Sequence, residues 1–196
     1  MSRREREDPR IVRTRQLIVR AFQELLGEKD FEALTIQEIA DRATINRVTF
    51  YAHFEDKYVL LEAAFNQSFA SELCAIVSPT AEFNRSNLQL LIETVCVFLE
   101  KGYAHCARSG RAHVEAGLGR QLQQQLYAFV LTWLKQTESG QDAAELQATV
   151  ASWAIYGVAK RWSEGKRTET VRNFARQALP MIAASLDLRA EAGSIR

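Results

Sequence analysis

The chain is poor in residues that interrupt helices. Among its 196 residues are 3 prolines and 9 glycines. A sandwich or barrel, which needs a turn every 8–12 residues or so, is therefore excluded. The 3 cysteines, Cys74, Cys96 and Cys106, form no CxxC pair and leave one unmatched. That speaks against a disulfide scaffold and for reduced thiols. Net charge is nearly absent, with 25 Lys+Arg against 24 Asp+Glu, which excludes a generally basic nucleic-acid coat and an acidic solvating tail alike. No run approaches the roughly 18 uninterrupted apolar residues of a membrane span. The charged start, Met-Ser-Arg-Arg-Glu-Arg-Glu-Asp, leads into no signal-peptide core. A soluble, cytoplasmic chain without a membrane partner is expected. What is present is 47% hydrophobic residues, ample for a packed core, in a background of good helix formers. The expected class is all-α.

Residues 1–9 are mostly charged and read as a disordered arm. From Ile11 a stripe of Ile18, Phe22, Leu25 and Leu26 has helical period, and Gly27 is placed to stop that helix. Thr35-Ile-Gln-Glu38 is a capping box opening a second, short helix that ends near Arg42. Asn46 is a good cap for a third, running to about His53. Asp56 caps a fourth, with Leu60, Leu61, Ala64, Phe65, Phe69 and Leu73 on its apolar face. The division drawn from this pattern is a small helical unit over 10–56, a larger helical domain over 57–188, and a tail over 189–196. The larger domain reads as helices over 88–103, 117–136, 143–164 and 168–186, with Pro180 inside the last and the Gly165-Lys-Arg turn before it.

Two short capped helices joined by Ala43-Thr44-Ile45, with Ile36, Ile39, Ala40, Ile45, Phe50 and Phe54 as a corner core, have the layout of a helix-turn-helix. In that motif the second helix enters a DNA major groove about 12 Å wide. Arg47, at its front, can donate two bonds to a guanine edge. Thr49, Tyr51, His53 and Lys57 are spaced for flanking phosphates, and Arg13, Arg15 and Arg42 add local positive charge. Since residues 1–60 carry equal numbers of basic and acidic side chains, any basic surface is a stripe.

The segments Phe31-Glu-Ala-Leu-Thr-Ile-Gln-Glu-Ile-Ala-Asp-Arg-Ala and Thr49-Phe-Tyr-Ala-His-Phe-Glu-Asp-Lys57 resemble the N-terminal DNA-binding domain of the TetR family of transcriptional regulators. The resemblance covers about Arg13 to Leu61, and its T-x-Y-x-H-F-x-x-K run is specific. It implies a three-helix DNA-binding domain followed by a larger helical domain for ligand binding and dimerisation. The implied function is that of a ligand-responsive repressor bound as a homodimer to a palindromic operator. By position, Gln37, Arg47 and Val48 would face bases, and Thr35, Thr49, Tyr51, His53 and Lys57 would touch the backbone. The sequence departs from the family pattern where Thr44 stands in place of the usual turn glycine, where Asn46 replaces a small cap, and where Val48 replaces a smaller residue.

Beyond the motif the sequence offers alternatives. A helix-turn-helix pattern can be a plain structural corner, which leaves a helical protein-interaction module with a degenerate DNA-binding domain as the rival function. His105, Cys106 and His113 lack the ligand spacing of a zinc centre, and no metal or cofactor is expected. No nucleotide-binding, nucleophile-elbow or metalloprotease motif marks an enzyme. Aromatic residues of the larger domain read mainly as core. A pocket for a small-molecule effector, lined by Phe98, Tyr103, His105, His113, Gln125, Phe129 and Trp133, is the competing reading. Ala151, Ile155 and Val158 on one late helix, with Phe174, Ala178, Met181 and Ile182 on the next, suit either a four-helix dimer interface or packing within their own domain.

Overall fold

The computed structural model describes residues 8–78, 81–106, 112–136, 141–165 and 168–186, with side chains described for all of these except 102–106, 112–116 and 141. The N-terminal arm up to residue 7, the tail from 187 and part of the Gly165-Lys-Arg turn lie outside the described residues. Eight α-helices follow one another, and there is no strand among the described residues. No helix there is long and apolar enough to cross a membrane.

Helix α1 (Pro9–Glu28) starts where Asp8 accepts a hydrogen bond from the Arg10 amide, with Pro9 in the first turn, where no amide partner is needed. It buries Ile18, Val19, Phe22 and Leu25. Gly27 does not stop it. The glycine sits in the last turn, and the helix ends one residue later as Lys29 becomes extended. A 3-10 turn (Phe31–Ala33) then leads to α2 (Ile36–Arg42), whose capping box is fully formed between Thr35 and Glu38. Helix α3 (Arg47–His53) opens on Asn46, whose Oδ1 accepts from the Val48 amide at 2.9 Å. Asp56 caps α4 (Lys57–Ile76) by accepting from the amides of Tyr58 and Val59.

The corner between α2 and α3 turns on Thr44, which has φ 57° and is the one non-glycine residue with positive φ among the described residues. The Thr44 amide donates to the Asp41 carbonyl and the Ile45 amide to the Ala40 carbonyl. These two bonds close the end of α2 as a Schellman motif with threonine in the position that glycine favours. A β-branched side chain in that region is strained.

Apolar packing forms two cores that meet on α4. The first gathers Phe22, Leu34, Ile39, Phe50 and Phe54 with Leu60, Leu61 and Ala64. The second gathers Phe69 and Leu73 with the C-terminal helices. The change-over thus falls within α4, beyond the Lys57 boundary expected from the sequence. Leu118 of α6 also joins the first core, on the side where α6 packs against α4.

The body consists of α5 (Arg85–Cys106), α6 (Ala112–Leu134), α7 (Gln141–Glu164) and α8 (Val171–Ser185). Helix α7 packs on both α5 and α6, and α8 lies against α5 and α7. Ala144, Ala148, Ala151, Ile155 and Ala159 face this core from α7, where small side chains let the helices approach closely. Gly117 and Gly119 do the same for α6: a Cβ at either would collide with Glu62 or the Tyr156 hydroxyl. Burial, with Glu93 and Glu100 nearby, pushes the Cys96 thiol up to about 12, leaving it protonated and inert.

Replacing Thr44 by glycine relieves the left-handed strain at a small cost in chain entropy. Urea denaturation of T44G should show a gain of about 0.5–1 kcal/mol. An unchanged or lower stability would mean that the turn is relaxed as it stands.

Candidate nucleic-acid interface

Helix α3 is short, and its two sides differ sharply. Phe50 and Phe54 are buried at 0% and 1% exposure, their ring centroids 5.9 Å apart, and they seat the helix on the first core. The opposite side presents Arg47, Val48 and Tyr51, with Val48 76% and Tyr51 46% exposed. An exposed valine on a seven-residue helix gains nothing from folding, so its placement is informative. The Arg47 Nη2 donates to the Tyr51 hydroxyl at 3.2 Å, and the guanidinium carbon lies 5.6 Å from the tyrosine ring centroid. This aligns the arginine along the outer face of α3. Thr49 and His53 are half-buried on its flanks.

On α2, Gln37 is exposed and its Nε2 donates to Asp41 Oδ1 at 2.7 Å. Thr35 is also exposed, but its hydroxyl works within the capping box, accepting from the Glu38 amide and donating to Glu38 Oε2. The structure therefore brings Arg47, Val48 and Tyr51 together on one outward face of α3. Thr35 and Gln37 stand exposed on the preceding helix.

Lys57 departs from its expected role. Its side chain is only 17% exposed, and Nζ donates to the carbonyls of Phe31, Glu32 and Leu34 at 3.1, 3.2 and 3.1 Å. An ammonium has three protons to donate, and all three are used here. Nζ also lies 4.7 Å from the Phe31 ring centroid. Lys57 ties α4 to the end of the 3-10 turn, and an outward phosphate contact would require breaking that tie.

Arg15 and Arg42, expected to add loose positive charge, also serve the protein itself. The Arg15 Nη1 donates to the His53 carbonyl at 3.2 Å, and its guanidinium carbon lies 4.4 Å from the Phe54 ring centroid. It thus places a cation at the carbonyl end of α3. Arg42 holds Glu28 through two bonds of 2.8 and 2.9 Å, fastening the end of α2 to the end of α1. This pairing lowers the Glu28 carboxyl and raises the Arg42 guanidinium. At the other end of α2, Lys29 contacts Glu38 at 2.5 Å. Hydrogen bonds from Lys29 and then from Thr35 bring Glu38 down to about 2. These positioning roles of Arg15 and Lys57 escaped the sequence reading, because a lone basic residue carries no sign of the direction in which it folds.

Of the residues expected to line an effector pocket, four have described side chains: Phe98, Gln125, Phe129 and Trp133. Phe129 and Trp133 pack edge to face at 5.0 Å, and the Trp133 indole donates to the Ser78 carbonyl. Gln125 donates to the Oδ1 and backbone carbonyl of Asn66. Gln125 and Trp133 thus tie α6 to α4 and its following loop, and Phe98 borders a cleft between α1, α4 and α5. The side chains of Tyr103, His105 and His113 lie outside the described residues.

The expected dimer face is corrected as well. Ala151, Ile155, Ala178 and Ile182 are buried in the body's own core, and Val158 and Phe174 pack against it. Of the expected set, Met181 is exposed. The positions are small and apolar because α7 and α8 pack within one chain.

Residues 18–64 match the model of the family described as bacterial regulatory proteins, tetR family. Over these residues the chain is similar to the TetR family. A curated relative from Bacillus subtilis, the uncharacterized HTH-type transcriptional regulator YxbF, is 38% identical over 80 residues. That alignment takes in 39% of this chain and spans only 21% of the relative's length. Among solved structures, a tetR-family transcriptional regulator from Streptomyces coelicolor is similar with a TM-score of 0.58 and 21% identity, covering 88% of this chain and 82% of that one. The Bacillus subtilis regulator FadR, solved with stearoyl-CoA, is similar with a TM-score of 0.52 and 15% identity, over 87% and 98% of the two chains. These likenesses extend the shared fold from the TetR-type N-terminal unit through the helical body.

Because Glu38 has its folded value depressed from 4.5 to about 2, it favours the folded state above pH 4.5, and this contribution is lost as pH falls toward 2. Denaturation of the wild type and of E38Q should therefore give a stability difference that shrinks across that window. A difference independent of pH would rule out the Lys29 and Thr35 bonds as its source.

Proposed function

We propose that the protein is a cytoplasmic transcriptional repressor that binds a palindromic DNA operator as a homodimer and is released by a small-molecule effector. The observation carrying this reading is the seating of α3. Two buried phenylalanines hold the helix so that Arg47, Val48 and Tyr51 face solvent as one surface. Arg47 supplies a fork of donors suited to a guanine edge, Val48 a methyl surface suited to a thymine methyl, and Gln37 an amide suited to an adenine edge. Tyr51 orients Arg47 and, with Thr35, Thr49 and His53, borders the backbone. Lys57 acts one step back, holding the start of α4 in place.

One seven-residue helix reads few base pairs, so specificity calls for two copies with reading helices roughly 34–36 Å apart. A surface for that pairing is the outer stripe of α7. Leu146, Val150 and Trp153 follow at helical spacing and are exposed at 67%, 47% and 55%, and Met181 of α8 is exposed too. The proposed interface is thus the face of α7 turned away from Ala148, Ala151 and Ile155. Large exposed apolar side chains in such a row mark a contact surface.

Gel shifts with DNA flanking the protein's own gene test the reading. Arg47→Ala should weaken specific binding by about 1–3 kcal/mol and relax one operator position. Undiminished operator preference in that variant would refute the assignment of Arg47 to a base. Lys57→Ala should lower the unfolding midpoint while leaving the salt dependence of DNA binding unchanged; a slope lower by about one would restore it as a phosphate contact. Trp153→Glu should convert the dimer to monomer in sedimentation equilibrium and weaken operator binding with it. A dimer that persists would place the interface elsewhere.

A further inference from the structure

A cleft of about 280 Å³ lies between α1, α4 and α5. Its floor is apolar, with Leu26 from α1, Leu61 and Phe65 from α4, and Phe98 from α5; the Phe65 and Phe98 ring centroids are 4.6 Å apart. Gly27 borders it, and a Cβ there would meet nothing within 4 Å. On one side Gln23 donates to the Ser68 hydroxyl at 2.9 Å. The charged lining residues are Glu72 and Lys101, 3.5 Å apart. The volume is near the lower end for small-molecule sites and suits a single-ring ligand.

The ion pair determines the chemistry of the occupant. Its lysine is the outer partner, 65% exposed, while the Glu72 side chain is 30% exposed. Releasing Lys101 from Glu72 costs little, since exposed pairs contribute weakly and a long aliphatic stem readily changes direction. Glu72 then remains as a carboxylate in a cleft also lined by the Phe65 and Phe98 rings, an environment that attracts a cation. An incoming anion would be held by Lys101 at the rim and repelled by Glu72 further in.

We propose that this cleft binds a small organic cation, an ammonium carrying an apolar ring, which displaces Lys101 from Glu72. Because α1 belongs to the α3-bearing unit and α5 to the body, such a ligand would bridge the two. Its effect on DNA rests on the regulator reading above, whereas its binding does not.

The test is calorimetric titration of the full chain, without DNA, with three probes on one scaffold: phenylpropylammonium, phenylpropanol and phenylpropanoate. The ammonium should bind at least tenfold more tightly than either other probe. Glu72→Gln should erase that preference. Lys101→Gln should tighten ammonium binding by up to about fivefold, the most an exposed pair withholds. Gly27→Leu should keep or raise the melting temperature, as leucine is the better helix former, yet abolish binding by filling the cleft. Equal affinity for the three probes, a preference for the acid or alcohol, weakening by Lys101→Gln, or no binding at all would overturn the proposal. Ammonium binding in a protein that ignores operator DNA would overturn the regulator reading alone.

Discussion

What α3 presents to solvent depends on the burial of Phe50. Its side chain is fully enclosed, edge-on to Tyr51 at 5.6 Å and tilted against Phe54 at 5.9 Å. A helix of two turns is far too short to be stable by itself, so α3 exists because this ring and Phe54 are worth more inside than out. Truncation of such a ring typically costs about 3–5 kcal/mol, comparable to the stability of a small domain. Once Phe50 points inward, helical geometry turns Val48 to the opposite side and Tyr51 to the flank, and Arg47, at the exposed start of the helix, leans on the Tyr51 hydroxyl. The outward set is a consequence of the inward one.

The remaining interactions fix the angle of that helix. Arg15 reaches from α1 to the carbonyl end of α3, Arg42 and Lys29 clamp the two ends of α2, and Lys57 holds the 3-10 turn. Apart from Lys57, these cations sit at exposed sites where pairing contributes little to overall stability. Their use is geometric, since each links two different elements and restricts how they rotate. It also explains the neutral composition. Much of the positive charge that a sequence count assigns to the N-terminal unit is consumed internally, which leaves the field of Arg47 and its neighbours local.

Where sequence and structure agree, the determinant is short-range. Asn46 with Val48, Thr35 with Glu38, and Asp56 with Tyr58 are contacts across two or three residues, so the caps and hence the ends of α2, α3 and α4 were legible. Thr44 was legible as a strained turn for the same reason. Gly27 misled because nothing local reveals whether a glycine near a helix end adopts a left-handed or a helical backbone; here α1 carries on through it to Glu28. The direction taken by Lys57 was illegible because its partners lie more than twenty residues away. On α7 the difficulty is one of rotation. Ala148, Ala151 and Ile155 form one apolar stripe and Leu146, Val150 and Trp153 another, and periodicity alone does not say which is inside. Small residues won the interior because they permit closer helix approach.

The place of α4 gives these parts a common frame. Its first turns supply Leu60, Leu61 and Ala64 to the core behind α3, and its later turns supply Phe69 and Leu73 to the body. Leu118 of α6 enters the first core as well. Close packing transmits displacement, because interiors are dense and yield little. A shift of α4 against α5 or α6 therefore cannot leave the seat of α3 untouched. For such a shift to act as a switch, a ligand must bind one arrangement more tightly than the other. A ligand seated in the cleft bounded by α1, α4 and α5 would meet that condition by holding those helices at one angle in preference to another.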